Sequence, residues 1–305
     1  MAMKPAINFM GVRNIAFAIT IILTVASLGS LVFKGLNFGL DFTGGTLIEL
    51  NYAKPIQPEL VREQLRAAGY GDAQVQSFGA TTDILVRLAG DDPQLGNKVA
   101  QALEVQGGDN KLTINRVEFV GPAVGEELRD QGGLGMLLAM AGIMLYVAFR
   151  FQWKCGAGAI VALFHDVIIT LGVFSFFQIT FDLTVLAAVL AIIGYSLNDT
   201  IVVFDRIREN FRLLRKADLI ENINISTTQT LLRTLATSIS TLLAVAALMF
   251  MGGENLWGFS LALFIGVTAG TYSSVYMASV ILIWLDLTSD DLIPPVEVEA
   301  VDDRP

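Results

Sequence analysis

The chain has one cysteine and one histidine in 305 residues. A single thiol, Cys155, cannot close an internal disulfide, so no cystine framework holds any part of the molecule. The histidine, His165, has no second His and no Cys near it, which excludes a His-rich or Cys-rich metal site; no metal and no cofactor is expected. Charge is scarce as well, with 16% of residues charged against 53% hydrophobic. A soluble domain carries about 25% charged residues, so this composition is that of a polytopic membrane protein with the lipid bilayer as its main solvent. The net charge of −9 gives no reason to expect a nucleic-acid partner. Much of it lies in a tail with Asp290, Asp291, Glu297, Glu299, Asp302 and Asp303, which reads as solvated and disordered.

What the chain has in quantity is long apolar runs. Six approach the ~20 residues that span a bilayer: about 15–33, 133–149, 156–177, 183–204, 231–251 and 256–284. Lys and Arg set their orientation. Lys4 and Arg13 precede the first run, and Arg150 and Lys154 lie between the second and third. Arg206, Arg208, Arg212, Arg215 and Lys216 follow the fourth, whereas the connections 178–182 and 252–255 carry no basic residue. Both termini are therefore expected in the cytoplasm, with the long segment after the first run on the opposite side. The first run contains the small pair Ser27 and Gly29. It is longer than the ~7–15 apolar residues of a cleaved signal peptide, so an uncleaved anchor is expected.

The expected division is 1–34 for the N-terminus and first span, 35–132 for an exported domain, 133–285 for spans two to six with a cytoplasmic loop at about 205–230, and 286–305 for the tail. Within the exported segment the pattern changes to short elements. Strands are expected at 46–52, 73–78, 84–88 and 113–120, and helices at 58–68 and 93–104. The first helix has Pro58 at its start and Gly69 just past its end; the second is led by Asp91 and Asp92 as caps. A Gly-containing loop, 79–82, joins the middle strands. The order βαββαβ is the split-βαβ, ferredoxin-like arrangement, so the fold class is a six-span helical membrane protein with one α+β exported domain. That superfold hosts many functions, and the segment has no nucleophile-elbow, phosphate-loop or metal-ligand motif. A binding or force-transmitting module is expected, not an enzyme.

The fourth run contains Asp199. A charged residue at membrane depth costs ~2.5–3.5 kcal/mol on insertion scales, so such residues face a bundle interior and mark an ion or substrate path. On a helix Asp199 shares its face with Ile192, Tyr195, Ser196, Val202 and Arg206, and Asn198 adjoins it. Its short side chain cannot reach the interface. Burial favours the neutral acid and a nearby cation the carboxylate, and a site balanced between the two can load and release a proton; a fixed interhelical anchor is the alternative. The fifth run places Thr230, Arg233, Thr237 and Ser240 on one face, suited to helix packing or a wet path, with Arg233 also able to snorkel to the interface. His165 and Asp166 in the third run form either a second relay element or a buried structural pair. Gly266 and Gly270 in the sixth have GxxxG spacing, which permits close helix approach.

Five motifs in order carry a family resemblance: Gly39-Leu40-Asp41-Phe42-Thr43-Gly44-Gly45, Gly121-Pro122-Ala123-Val124-Gly125, Phe164-His165-Asp166, the run 195–210, and Gly270-Thr271-Tyr272-Ser273-Ser274. Together, around six spans and one exported insert, they resemble the SecF family of the bacterial preprotein translocase accessory complex, of the resistance-nodulation-division type. The glycines also have a local role in turns. The resemblance implies a bacterial inner-membrane protein that pairs with SecD and uses the proton gradient to help draw preproteins through the SecYEG channel, with YajC a further partner. It also implies that Asp199 and Arg233 take part in proton passage. Two other readings stay open at this point: a half-transporter exporting a small molecule or lipid, and a passive scaffold.

Overall fold

The computed structural model describes residues 6–90, 92–106, 110–214 and 217–292. A 3-10 turn, Phe9–Val12, leads into α1 (Arg13–Phe33). Then follow β1 (Asn37–Phe38), the short α2 (Leu40–Thr43), β2 (Gly45–Tyr52), α3 (Pro58–Ala67), β3 (Gln74–Phe78), β4 (Ala80–Leu88), α4 (Leu95–Gln106) and β5 (Leu112–Val120). The remainder is α5 (Pro122–Arg150), α6 (Trp153–Phe177), β6 (Thr180–Phe181), α7 (Leu183–Leu213), α8 (Leu219–Met251), α9 (Glu254–Val275), α10 (Met277–Trp284) and α11 (Ser289–Leu292). The chain divides into two compact units, one made of Asn37–Leu137 with Thr180–Leu186 and the other of the flanking helices.

In the smaller unit the four long strands form an antiparallel sheet in the order β3-β4-β2-β5. The period-2 pattern of β2 turns Ile48, Leu50 and Tyr52 inward, where they pack with Val61 and Leu65 of α3 and Val99 and Leu103 of α4. Pro58 sits in the first turn of α3, where its missing N–H is no loss. The hairpin between β3 and β4 is tighter than the expected 79–82 loop: Gly79, at φ +74°, makes the turn, Phe78 pairs with Ala80, and Thr81 and Thr82 belong to the strand. Asp92 caps the approach to α4, its Oδ1 accepting from the Gln94 amide at 2.8 Å; Asp91 lies outside the described residues.

The Tyr52 hydroxyl is buried with no hydrogen-bond partner among the described residues. Burial pushes its pKa up to about 12, so the folded domain holds the phenol neutral. Its contribution is intact below the unfolded pKa of ~10 and is lost as pH rises from there through the folded value. Tyr52→Phe is therefore expected to stabilise the domain by about 1 kcal/mol at neutral pH and to flatten its stability loss above pH ~10, read by hydrogen exchange of β2 in the intact chain.

Among the described residues, six helical stretches are long and apolar enough to span a membrane, Phe9–Phe33, Pro122–Arg150, Trp153–Phe177, Leu183–Leu213, Leu219–Met251 and Asn255–Trp284, and all but residues 122–137 and 183–186 of them belong to the larger unit. About half of α6, α7 and α9–α10 is buried, whereas α1, α5 and α8 leave most of their apolar surface open. Lipid tails are as apolar as leucine, so close packing rather than hydrophobic burial must join such helices. Glycines permit it: a Cβ on Gly172 would lie 2.2 Å from the Ser27 side chain of α1, and one on Gly266 2.3 Å from Ile192 of α7.

Three boundaries differ from the sequence pattern. The stretch 205–230 is mostly helix, because α7 continues to Leu213 and α8 begins at Leu219; hydropathy marks only the apolar part of each. Asp218 caps α8, its Oδ1 accepting from Glu221 N at 2.7 Å, while Arg215 and Lys216 lie outside the described residues. The second span begins at Pro122, eleven residues before its apolar run, which started at 133. The start of the acidic tail is packed rather than solvated: Leu287 and Leu292 are buried, and Asp291 pairs with Lys154 at 2.5 Å. That hydrogen bond holds the Asp291 carboxyl below its ordinary range. Residues 293–305 lie outside the described residues.

Candidate functional site

Among the described residues, two acids are buried in the packed helices. Asp199 on α7 is 3% exposed, and its Oδ2 has no hydrogen-bond partner among the described residues. Its neighbours on the same helix face are Ser196, buried, and Tyr195, half-buried. The Tyr195 hydroxyl points to Ser238 Oγ of α8 at 3.5 Å, and Ser238 in turn shares a 2.7 Å hydrogen bond with Thr271 of α9. A line of hydroxyls thus crosses α7, α8 and α9 one turn from Asp199.

Asp166 on α6 is fully buried, and three helices supply its partners. Ser196 Oγ of α7 donates to Oδ2 at 2.5 Å and Ser273 Oγ of α9 donates to the same oxygen at 2.8 Å, while Oδ1 meets Nδ1 of His165 at 2.9 Å. Gly270 keeps this approach open, since a Cβ there would lie 3.1 Å from Ser196 and 3.4 Å from Asp166 Oδ2. His165 is buried with Nε2 unpartnered among the described residues. One acid is therefore fully engaged and the other has a free oxygen, a division suited to one structural and one exchanging carboxyl.

The remaining sequence candidates separate. Arg233 is exposed on α8 and, among the described residues, makes no ion pair with Asp199. Thr237 is half-buried and donates to the carbonyls of Arg233 and Thr234, Ser240 is exposed, and Asn198 faces outward on α7. The inward face of α8 is instead Thr227, Thr230, Thr234 and Ser238, one residue round the helix from the expected stripe apart from Thr230. Sequence reasoning did not single out Ser238, and it took Thr271 and Ser273 only as part of a family motif. The signal available was that a buried acid needs donors and that 271–274 is rich in hydroxyls.

The glycine motifs fall in the smaller unit. Gly44 and Gly45 take φ of +67° and +115°, and a Cβ on them would strike Pro122 Cα at 2.7 Å and Leu88 O at 2.4 Å. Gly45 pairs with Val120, so the start of β2 meets the end of β5 beside Pro122, the first residue of α5. Gly121 has open space around it. Gly39 and Asp41 flank the first residue of α2 and are taken up below.

Residues 100–288 match the family model described as protein export membrane protein SecD/SecF, C-terminal, and residues 29–56 match the SecD/SecF GG motif. The chain belongs to the SecD/SecF family. It is 70% identical over 299 residues to the protein translocase subunit SecF of Pseudomonas aeruginosa, covering 98% of each chain. Against the protein translocase subunit SecF of Escherichia coli O157:H7 it is 44% identical over 304 residues, covering 98% of this chain and 94% of the relative. The crystal structure of SecDF, a translocon-associated membrane protein from Thermus thermophilus, superposes with a TM-score of 0.85 at 39% identity over 94% of this chain. This chain spans 40% of that longer one. In SecD/SecF terms, the GG motif holds Gly39, Asp41, Gly44 and Gly45, and the C-terminal region holds Asp166, Asp199 and Arg233.

Proposed function

We propose that this chain is a SecF-type, non-enzymatic subunit of the Sec protein translocase, which pairs with SecD in the bacterial inner membrane and uses the proton gradient to promote preprotein movement through SecYEG. YajC is a further partner in this reading. The smaller unit is then a ferredoxin-like domain on the periplasmic side that handles the preprotein, and both termini are cytoplasmic. The observation that carries the proton reading is the unpartnered Oδ2 of Asp199, a buried carboxyl oxygen inside a span. Asn198 and Arg233 support a protein partner: both are exposed on membrane helices, where lipid would leave an amide and a guanidinium unsatisfied. A second six-span half would cover them and bring Arg233 into use as the cation that stabilises ionised Asp199.

The test is export into inverted membrane vesicles whose only SecF-type subunit is this chain, with the gradient present or collapsed. Gradient-dependent stimulation is expected; the same rate in both conditions overturns the proposal. Orientation is checked by labelling with a membrane-impermeant thiol reagent. A cysteine at exposed Gly71 is expected to react from the periplasmic side and one at exposed Leu213 only from the cytoplasmic side, with buried Cys155 silent.

A further inference from the structure

The start of α7 is built into the smaller unit by contacts that the proton reading does not use. The strands β1 and β6 pair in parallel, Asn37 with Thr180 and Phe38 with Phe181, and Gly39 N donates to Phe181 O at 2.8 Å. Phe38, Phe42 and Phe181 pack around this ladder with ring centroids 5.8 to 6.1 Å apart, Phe42 stacked on Phe181 and Phe38 edge-on to both. Gly39 is a glycine because a Cβ would lie 3.0 Å from Asp182 Cβ and 3.3 Å from its Cα. Two carboxylates then hold the first turn of α7: Asp182 Oδ1 accepts from Val185 N at 2.8 Å, and Asp41 Oδ2 accepts from Leu183 N at 3.0 Å. The second is unusual, because that acid comes from a residue 142 positions earlier rather than from the helix's own cap.

One residue of the four-stranded sheet reaches the same place. Arg87 of β4 donates from Nη1 to Phe38 O of β1 at 3.0 Å, and its Nε is buried without a partner among the described residues. Burial lowers the guanidinium from its ordinary pKa, and the charges of Asp182 and Asp41 oppose that lowering. Arg87 therefore joins the sheet to the β1–β6 ladder, within the electrostatic reach of the two acids that cap α7.

We propose that Arg87, Asp41 and Asp182 form a latch that transmits movement of the four-stranded sheet to the first turn of α7, the unbroken helix that carries Asp199. This rests on the proton reading of Asp199. Arg87 is a positioning residue in this scheme. Its hydrogen bond to Phe38 O ties the sheet to the β1–β6 ladder, and its charge attracts the two carboxylates at the helix start, so a displaced sheet draws the ladder and the cap with it.

The experiment uses the full chain in its membrane complex and compares the unaltered protein with Arg87→Gln, Arg87→Lys, Asp41→Asn and Asp199→Asn. Two quantities are read: amide exchange of 183–186 against that of β2 and β4, and the gradient-dependent increment of export against export without a gradient. With Arg87→Gln, exchange at 183–186 is expected to rise roughly three- to tenfold, the scale of one lost part-buried charged contact. Protection of β2 and β4 and gradient-free export should be unchanged, while the gradient-dependent increment falls by a similar factor. Arg87→Lys, which keeps the charge without the planar fork, is expected to recover part of it. A normal increment in Arg87→Gln overturns the latch, and so does loss of protection throughout the sheet with a normal increment in Asp41→Asn. Asp199→Asn separates the two ideas: if it keeps the gradient response the proton reading fails, and if it loses the response while Arg87→Gln keeps it, only the latch fails.

Discussion

Asp199→Asn is expected to reduce export in the presence of a proton gradient to the rate measured with the gradient collapsed, while the complex still assembles. The amide has nearly the shape of the acid and meets the same helices, so packing is preserved; what is lost is the titrating proton. The energy at stake is set by the membrane: one charge moved through 100 mV releases about 2.3 kcal/mol, and a site that cannot change its charge collects none of it. With Oδ2 unpartnered among the described residues, no existing hydrogen bond is broken when that oxygen becomes an NH2 group. Arg233→Ala is expected to lower the gradient response without abolishing it, because in this scheme the arginine stabilises the charged state but does not carry the proton. The checking measurement is export rate in vesicles with and without an uncoupler, at matched levels of assembled complex.

The opposite pattern is expected one helix away. Asp166→Leu removes the acceptor shared by Ser196 and Ser273 and the partner of His165 Nδ1, taking those bonds from buried groups on three helices and leaving Ser273 only its 3.2 Å bond to Gly270 O. Interhelical hydrogen bonds in membranes are worth about 0.6 to 1.7 kcal/mol each, so the two from Ser196 and Ser273 put the loss at about 1–3 kcal/mol. The variant should unfold at clearly lower SDS fraction in mixed micelles and accumulate poorly in the membrane. Asp166→Asn retains an acceptor oxygen and should lose less than half of that. If both Asp166 variants were as stable as the unaltered chain, the three-helix node would not hold the bundle together.

The spans were legible because twenty apolar residues in a row have few other fates, and the β2 core face because alternation at 46–52 allows one inward set. The limits of the helices were less legible. Residues 205–213 and 219–230 are polar, so a hydropathy pattern ends where the bilayer ends, although the helices continue in water on their own hydrogen bonds and caps. The register of α8 was a different difficulty. Both Arg233-Thr237 and Thr234-Ser238 have helical spacing, one residue apart, and a rotation of about 100° decides which pair turns inward. Only the neighbours decide it, through Thr271 and Tyr195. Asp199 was visible as an isolated acid, but the greater engagement of Asp166 depended on Ser196 and Ser273, 30 and 107 residues away in sequence.

The lengths of α7 and α8 have a consequence of their own. A helix of 33 residues is about 50 Å long, and the hydrocarbon film it crosses is ~30 Å thick. To lie wholly within the film it would have to lean beyond the ~40° that spanning helices reach. It therefore stands out of the surface, and α7, at 31 residues, stands out beside it. The projecting parts are bound to each other, Asn210 to Ser226 at 2.8 Å and Arg206 to Gln229 at 2.6 Å, and only five residues, 214–218, bridge their tips. The result is a stiff stalk of two braced helices. A body bound at that surface that tugs on it tugs directly on the helix holding Asp199.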